Sequence, residues 1–323
     1  MQANNIFSIE SQELGEEVVV HNFFDIKIMS AYNKVSLDIQ DALKKYNIVR
    51  IYEDYSDDTT FQNGTKPVWI KWNLNVKGYR NGINDYLSSI SKQNRNIVRK
   101  SIRHINENKE LSVVIVDSSL EYYRQFKTLY FRMLSKKKYG LDFYSQEKTL
   151  MLYRNIRYLF IKFGEQIVAG AVFQCFEDVI RLCYLVSNQD LNQKYNIDIT
   201  KYIYYKLIEL GIERNCSNIS LGYDYSTFGI GISTGLSDIK YRMGFRPCTP
   251  NSIDTDERIE IMKEYFSSID FEAIYSFEYN DSYKNLKLKV FINNSLDIKN
   301  KNHLINKISS IYTDIKKEIV FHD

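Results

Sequence analysis

The sequence predicts a mixed α/β (α+β) fold, with a mixed central sheet flanked by helices. Three observations predict it. Three short apolar runs follow one another over residues 157–187, split by two-residue turns, as in an antiparallel meander. A helical stretch, Asp198–Arg214, then separates the meander from a fourth run, Asn218–Tyr223. A strand that returns after a helix of that length is a crossover strand, which pairs in parallel. Residues 17–78 repeat the alternation of strand-like and helix-like runs on a smaller scale.

The N-terminal part holds strand-like runs at Val18–Phe24, Ile48–Tyr52 and Val68–Leu74 (VWIKWNL). Between the first two, Val35, Ile39, Leu43 and Tyr46 fall at helical spacing and predict a helix over Val35–Tyr46. Residues 82–108 read as one helix and Leu111–Val116 as a strand. Ser119–Ser135 reads as a helix with an S-x-x-E start at Ser118 and Glu121. Ser145–Ile156 reads as a helix feeding the meander. The meander itself is Arg157–Phe163, a turn at Gly164-Glu165, Val168–Phe176, a turn at Glu177-Asp178, and Val179–Ser187.

After the fourth run, which ends at Asp224, comes a glycine-containing loop, Tyr225–Gly235. A helix over Leu236–Met243 follows, stopped by Gly244. Residues 255–268 read as helical and Leu286–Ile292 as a strand. Residues 297–323 read as a charged helical tail with Leu304, Ile308, Ile311, Ile315 and Ile319 on one face. The expected organisation is an N-terminal α/β subdomain over 1–80, a main domain over 81–295 and a C-terminal helix over 296–323. No Pro/Ser/Gly-rich linker separates them.

Composition narrows the function classes. A chain of 323 residues buries a large core. With 44% apolar and 26% charged residues it is of ordinary globular composition. A net charge of +3 is too small for a general nucleic-acid binder, so no DNA partner is expected. No apolar run approaches the ~20 residues of a membrane span. The four cysteines (Cys175, Cys183, Cys216, Cys248) have no CxxC spacing, and the N-terminus lacks an apolar leader core. The expected setting is cytoplasmic and reducing. His21, His104, His303 and His322 are scattered, and no metal site is expected. The richness in Asn, Ile, Lys and Tyr fits an AT-rich bacterial genome.

Three groups of residues could carry chemistry, one of them the loop Ser187–Thr200, which is either an ordinary strand–helix connection or a ligand-binding loop. Lys92, Arg95, Arg99 and Arg103 are spaced to share one helix face without acidic partners at i−4. Such a row is either a solvated face or a grip for phosphate or carboxylate, which guanidinium binds in a bidentate fork. Asp224 ends a strand above a crossover helix, a common site position, and is followed by Tyr225 and, further on, Lys240 and Tyr241. Asp224 either caps a turn or orients and deprotonates an amine; Tyr225 or Tyr241 could serve as a general acid.

The order meander, helix, strand, loop, then D-I-K-Y-R-M-G-F-R-P over Asp238–Pro247 resembles the GNAT superfamily of N-acetyltransferases. More narrowly it resembles the branch of Fem-type aminoacyltransferases and cell-surface acyltransferases. The basic helix Ser91–Arg103 is similar to one that precedes the catalytic half in that branch. Ile239–Gly244 is similar to its F-K-x-x-x-G-like pattern. The resemblance covers roughly residues 82–250. It implies that the N-terminal part is a degenerate first copy, so that the fold comprises two tandem GNAT-like subdomains.

The resemblance also implies transfer of an acyl group from acyl-CoA (acetyl-CoA) or a charged tRNA to an amine on a nucleotide-linked sugar or cell-envelope precursor. Leu185, Val186 and Ser187 would face the pantetheine arm, with Asn192 and Lys194 near the phosphates. Arg95, Arg99 and Lys240 would hold substrate phosphates, and Asp224, Tyr225 and Tyr241 would carry the chemistry. The loop Ser187–Thr200 has no glycine, unlike loops that admit a pyrophosphate closely. That feature favours the alternative of a catalytically inactive protein of this fold that binds a phosphorylated or acidic ligand.

Overall fold

The computed structural model describes residues 10–13, 18–23, 26–32, 37–54, 64–137, 142, 144–147, 155–228, 234–249, 260–267, 271–280 and 285–322. In chain order, β1 (Glu10–Glu13), β2 (Val18–Phe23) and β3 (Ile26–Tyr32) precede α1 (Ile39–Leu43) and β4 (Ile48–Asp54). β5 (Thr65–Pro67), β6 (Trp69–Asn75), α2 (Ile83–Ser89), α3 (Lys92–Glu107), β7 (Leu111–Asp117) and α4 (Leu120–Leu134) follow. A short 3₁₀ turn at Tyr144–Glu147 leads to β8 (Ile156–Phe163), β9 (Gln166–Cys175) and β10 (Val179–Val186). Next come α5 (Gln189–Tyr195), α6 (Ile199–Glu213), β11 (Asn218–Tyr225), β12 (Thr227–Phe228), α7 (Thr234–Arg242) and β13 (Arg246–Cys248). The chain closes with β14 (Glu260–Phe266), β15 (Ala273–Tyr279), β16 (Leu286–Asn293), α8 (Ile298–Ile311) and β17 (Lys317–His322). This is the expected mixed α/β class.

The chain forms two compact units. The first takes the described residues of 72–222 and 239–246; the second takes those of 7–71, 223–238 and 247–323.

The first unit is built on a seven-stranded mixed sheet in the order β13-β6-β11-β10-β9-β8-β7. β7 to β10 are antiparallel neighbours, and β11 joins β10 in parallel after α6. One core gathers the α4 residues Tyr123, Phe126, Leu129, Tyr130 and Leu134 against Tyr144, Tyr158, Phe160 and Val172. Burying such rings removes 150–250 Å² apiece from water and dominates core energetics. Elsewhere α6 lies close against β11. A β-carbon at Gly211 would stand 2.2 Å from Ile219 Cδ1, so only glycine permits that approach without the isoleucine moving.

The second unit holds a six-stranded sheet, β1-β2-β3-β4-β14-β5, and a four-stranded sheet, β12-β15-β16-β17. In the first of these, β1–β3 form an antiparallel ladder and β4 pairs β3 in parallel after α1. The apolar residues Val20, Met29, Ala42 and Val49 make the core beneath α1.

Several elements differ from the sequence expectation. The helix expected over 82–108 is two: Ile90 is extended, and the Ser91 side chain accepts from Asn94 N–H to start α3 afresh. The stretch 255–268, read as helical, contains strand β14, which pairs residue for residue with β4 from Glu260↔Asp54 to Phe266↔Ile48. Its inward-facing Glu264 breaks the apolar alternation that would have marked it. Residues 255–259 lie outside the described residues.

The C-terminal tail is helical only to Ile311. Tyr312 is fully buried, and the chain then forms β17 beside β16, taking Ile319 off the expected helix face. Ser145 belongs to the 3₁₀ turn and Ile156 to β8, while 148–154 fall outside the described residues. Helix α1 is shorter than the expected Val35–Tyr46, of which 35–36 lie outside the described residues. Part of the expected loop Ser187–Thr200 is helix α5.

Candidate active site

A strand–helix–parallel strand unit occurs three times in the described residues, and one of the three is opened. β3 and β4 remain paired from Ile28↔Ile48 to Tyr32↔Tyr52, and β16 and β17 from Leu288↔Lys317 to Asn293↔His322. β10 and β11 pair only at Val179↔Asn218, Ile180↔Ile219 and Arg181↔Ser220, although β10 runs on to Val186 and β11 to Tyr225. The strands therefore part beyond Ser220.

Two local features accompany the parting. The β9–β10 register shifts between Leu182 and Tyr184, which places an extra residue, Cys183, in β10. Such a bulge bends a strand and re-aims its backbone. On β11, Gly222 adopts φ +72°, a conformation that L side chains take rarely. From Leu182 to Val186, the edge of β10 that faced β11 carries no further ladder pairs with it. Leu185 and Ser187 at its end are half-buried and Val186 is buried.

The far end of the opened unit is the start of α6. Asp198 caps it, its Oδ1 accepting from Lys201 N–H at 3.0 Å. Asn192 Oδ1 accepts from Ile199 N–H at 3.0 Å, and its amide nitrogen donates to Ser187 Oγ at 3.4 Å. Ser101 Oγ accepts from Asp198 N–H at 3.0 Å. Thus Asn192, expected beside a ligand's phosphates, bonds the chain itself. The glycine-free connection is accommodated by Asn196, which ends α5 at φ 50°. Lys194 lies over the rings of Phe163 and Tyr195, at 5.5 and 4.9 Å.

The basic row divides in two. Arg95 Nη1 donates to the Leu87 and Ser88 carbonyls, at 3.3 and 3.4 Å, at the end of α2. Lys92, Arg99 and Arg103 are exposed. On α7, Lys240 is buried with its ammonium 5.7 Å from the Trp72 ring centre. Tyr241 is buried beneath the Arg246 guanidinium, 4.1 Å from its ring centre. The structure thus gives Arg95, Lys240 and Tyr241 packing surroundings within the first unit, while Arg99 faces water.

Asp224 and Tyr225 belong to the second unit. Asp224 is half-buried. Tyr225 stacks on Trp69 with ring centres 4.0 Å apart, and the Arg50 guanidinium lies 5.6 Å from the Tyr225 ring centre. Arg50 leads to a buried ionic cluster that sequence reasoning missed. Glu264 accepts from Arg50 Nε at 2.8 Å and from Lys66 and Thr227, and Lys66 also donates to Ser276 Oγ at 3.1 Å.

Burial acts to raise the pKa of Glu264, but the adjacent Lys66 and Arg50 cations outweigh it and hold the carboxyl at about 2. Burial pulls the Lys66 ammonium below its ordinary range despite that carboxylate. A charged residue inside an apolar strand, as in Ile48–Tyr52 (IVRIY), was the available signal. Its partner Glu264 was hidden in a stretch that reads as helical.

The sequence matches no family model and no curated protein. Solved structures similar to this chain include FemX, at 10% identity and TM-score 0.45, covering 77% of this chain and 84% of that one. L-PGS from Bacillus licheniformis is similar at 14% identity and TM-score 0.40, over 79% and 82%. A tandem GNAT protein from the clavulanic acid biosynthesis pathway is similar at 9% identity and TM-score 0.36, over 78% and 80%.

Proposed function

We propose that the chain is an N-acyltransferase that moves an acyl group from an ester or thioester donor to an amine, on a nucleotide-linked sugar or cell-envelope precursor. The supporting observation is the parting of β10 from β11 beyond Ser220, with the bulge at Cys183. A strand that parts from its parallel neighbour can hold an extended acyl arm by main-chain hydrogen bonds. Backbone N–H groups along Leu182–Ser187 would polarise the acyl carbonyl and stabilise the oxyanion that forms on it.

The amine attacks that carbonyl directly, and the C–N bond forms as the C–S or C–O bond breaks. Asp224, two residues past Gly222 on the same strand, takes the amine proton, and Tyr225 gives a proton to the leaving group. Arg99, the exposed member of the pair Arg95 and Arg99, meets an anionic group of the substrate.

The test is release of free thiol or alcohol on mixing the protein with acyl donors and an amino-sugar nucleotide acceptor. The expected result is turnover that falls by about 10²–10⁴-fold in Asp224→Ala. Full activity in that variant removes Asp224 from the mechanism. A catalytically inactive binder of a phosphorylated or acidic ligand is the second reading. The side-chain bonds that fill the start of α6 favour it. Saturable stabilisation by a sugar nucleotide, with no turnover from any donor, would establish that reading in place of the first.

A further inference from the structure

We propose that the second unit holds a binding site for an aromatic carboxylate, with the Arg50 guanidinium as its anion fork and the rings of Tyr52 and Tyr225 as its walls. The site draws only on residues of that unit. Its occupation needs no acyl transfer, so it stands apart from the reading above.

The strand pattern puts these side chains on one face of a sheet. Met29 and Val49 pack beneath α1, so the alternating residues Ser30, Tyr32, Arg50 and Tyr52 point to the opposite face. The parallel register sets Ser30 beside Arg50 and Tyr32 beside Tyr52. The two tyrosine rings stack with centres 4.8 Å apart. On its other side Arg50 is paired with Glu264 of β14. Only one of its N–H groups is used there, Nε donating to Glu264 Oε1 at 2.8 Å. The N–H groups on its two Nη nitrogens have no partner among the described residues. The side chain is 11% exposed, and the Nη nitrogens belong to the exposed part. Ser30, next to Arg50 in the ladder, is buried, and its hydroxyl also has no partner among the described residues.

The charge of the cluster is short of one anion. Arg50 and Lys66 are both buried, and among the described residues Glu264 is the carboxylate that bonds them. The neighbouring group is balanced within itself, Lys287 and Lys289 against Glu278 and Glu318. One positive charge is left over in a setting where charges are normally paired. Its effect is visible at Lys66: burial lowers the pKa of the ammonium, and Arg50 lowers it further.

A surplus of one charge selects a monoanion. A planar guanidinium presents parallel N–H groups that match the two oxygens of a carboxylate. The surroundings are rings. The Tyr225 ring centre lies 5.6 Å from the guanidinium, and Tyr225 itself stacks on the partly exposed Trp69. Burial raises the Tyr52 pKa to about 12 against the pull of Arg50, so its hydroxyl is a neutral donor at pH 7. Walls of this kind suit a flat ring, which packs by offset stacking or edge to face. The ligand they describe is a carboxylate borne on a planar ring.

Isothermal titration of the full chain with benzoate, acetate, phenol and phenyl phosphate tests this. Benzoate is expected to bind saturably, at least about tenfold more tightly than each of the others, a difference of about 1.4 kcal/mol. Arg50→Lys keeps a cation for Glu264 but loses the fork, and should weaken benzoate at least about tenfold. Tyr52→Leu leaves the ionic cluster intact and should bring benzoate down to the affinity of acetate. Circular dichroism confirms that each variant is folded before it is titrated. Benzoate that binds no more tightly than acetate or phenol, or equally well to Arg50→Lys, overturns the proposal. Phenyl phosphate that binds as tightly as benzoate overturns the choice of a carboxylate.

Discussion

At Gly222, with φ +72°, a β-carbon would stand 3.2 Å from the Leu182 carbonyl oxygen. The two residues mark the point where β11 leaves β10. The backbone conformation and the close approach both select glycine.

Gly222→Ala is therefore expected to destabilise the chain by about 1–2 kcal/mol, the usual cost of a side chain in the left-handed region. Urea unfolding measures it. If the proposed function holds, the same variant also loses transfer activity, because relief of the strain closes or twists the opening. A variant of unchanged midpoint and unchanged activity would show that the parting of the strands does not depend on Gly222.

Glu264 is held ionised down to about pH 2 by Lys66 and Arg50. Its folded-state pKa lies below its ordinary value. Its contribution to stability is thus complete above about pH 4.5 and is lost as the pH falls toward 2. The loss amounts to at most about 3 kcal/mol over that window. Glu264→Gln should flatten this part of the stability–pH curve. It should also destabilise the protein at neutral pH by about 3–5 kcal/mol, because Arg50 and Lys66 remain buried without their anion. An acid limb of unchanged slope in the variant would assign the acid sensitivity to other carboxyls.

Arg95 and Arg99 are expected to separate cleanly. Arg95→Ala removes the donor to the Leu87 and Ser88 carbonyls and should lower stability by about 0.5–1.5 kcal/mol. Arg99→Ala, at an exposed position, should change it by less than about 0.5 kcal/mol. If Arg99 meets an anionic substrate, its loss raises KM and leaves the melting temperature alone. The reverse pattern would exchange the roles of the two arginines.

Tyr144→Phe is the corresponding test of the first unit's core. The Tyr144 and Tyr158 hydroxyls lie 3.0 Å apart, both residues fully buried. Removing one hydroxyl leaves the other without that bond, at an expected cost of about 1–3 kcal/mol. A neutral result by thermal unfolding would show that the Tyr158 hydroxyl finds another acceptor.

The meander and its crossover were legible because they are regular. From Arg157 to Tyr223, apolar alternation, two-residue turns and a long helix agree with one another, and the structure follows them closely except at helix α5, which lies in the expected loop. The basic row was legible as a row, but its division was not. Nothing in the spacing of Arg95 and Arg99 says that the first reaches back to α2. Strand β14 was illegible for a physical reason. A buried ionic cluster placed Glu264 on its inward face and removed the periodicity that reveals strands. The opening between β10 and β11 leaves a trace in the sequence only at Gly222, since where pairing ends depends on two strands at once.

Trp69 and Trp72 are the only tryptophans in the chain. They fall on opposite sides of the division between the two units: Trp69 in the second, 37% exposed, and Trp72 in the first, fully buried. The protein therefore carries an emitter of its own in each unit, one partly exposed and one fully buried, without any label. Red-shifted emission should come from Trp69, which lies against the Tyr225 ring, and blue-shifted emission from Trp72. A ligand that reaches Tyr225 should change the first colour and leave the second, while melting of the first unit should shift the second colour toward the first.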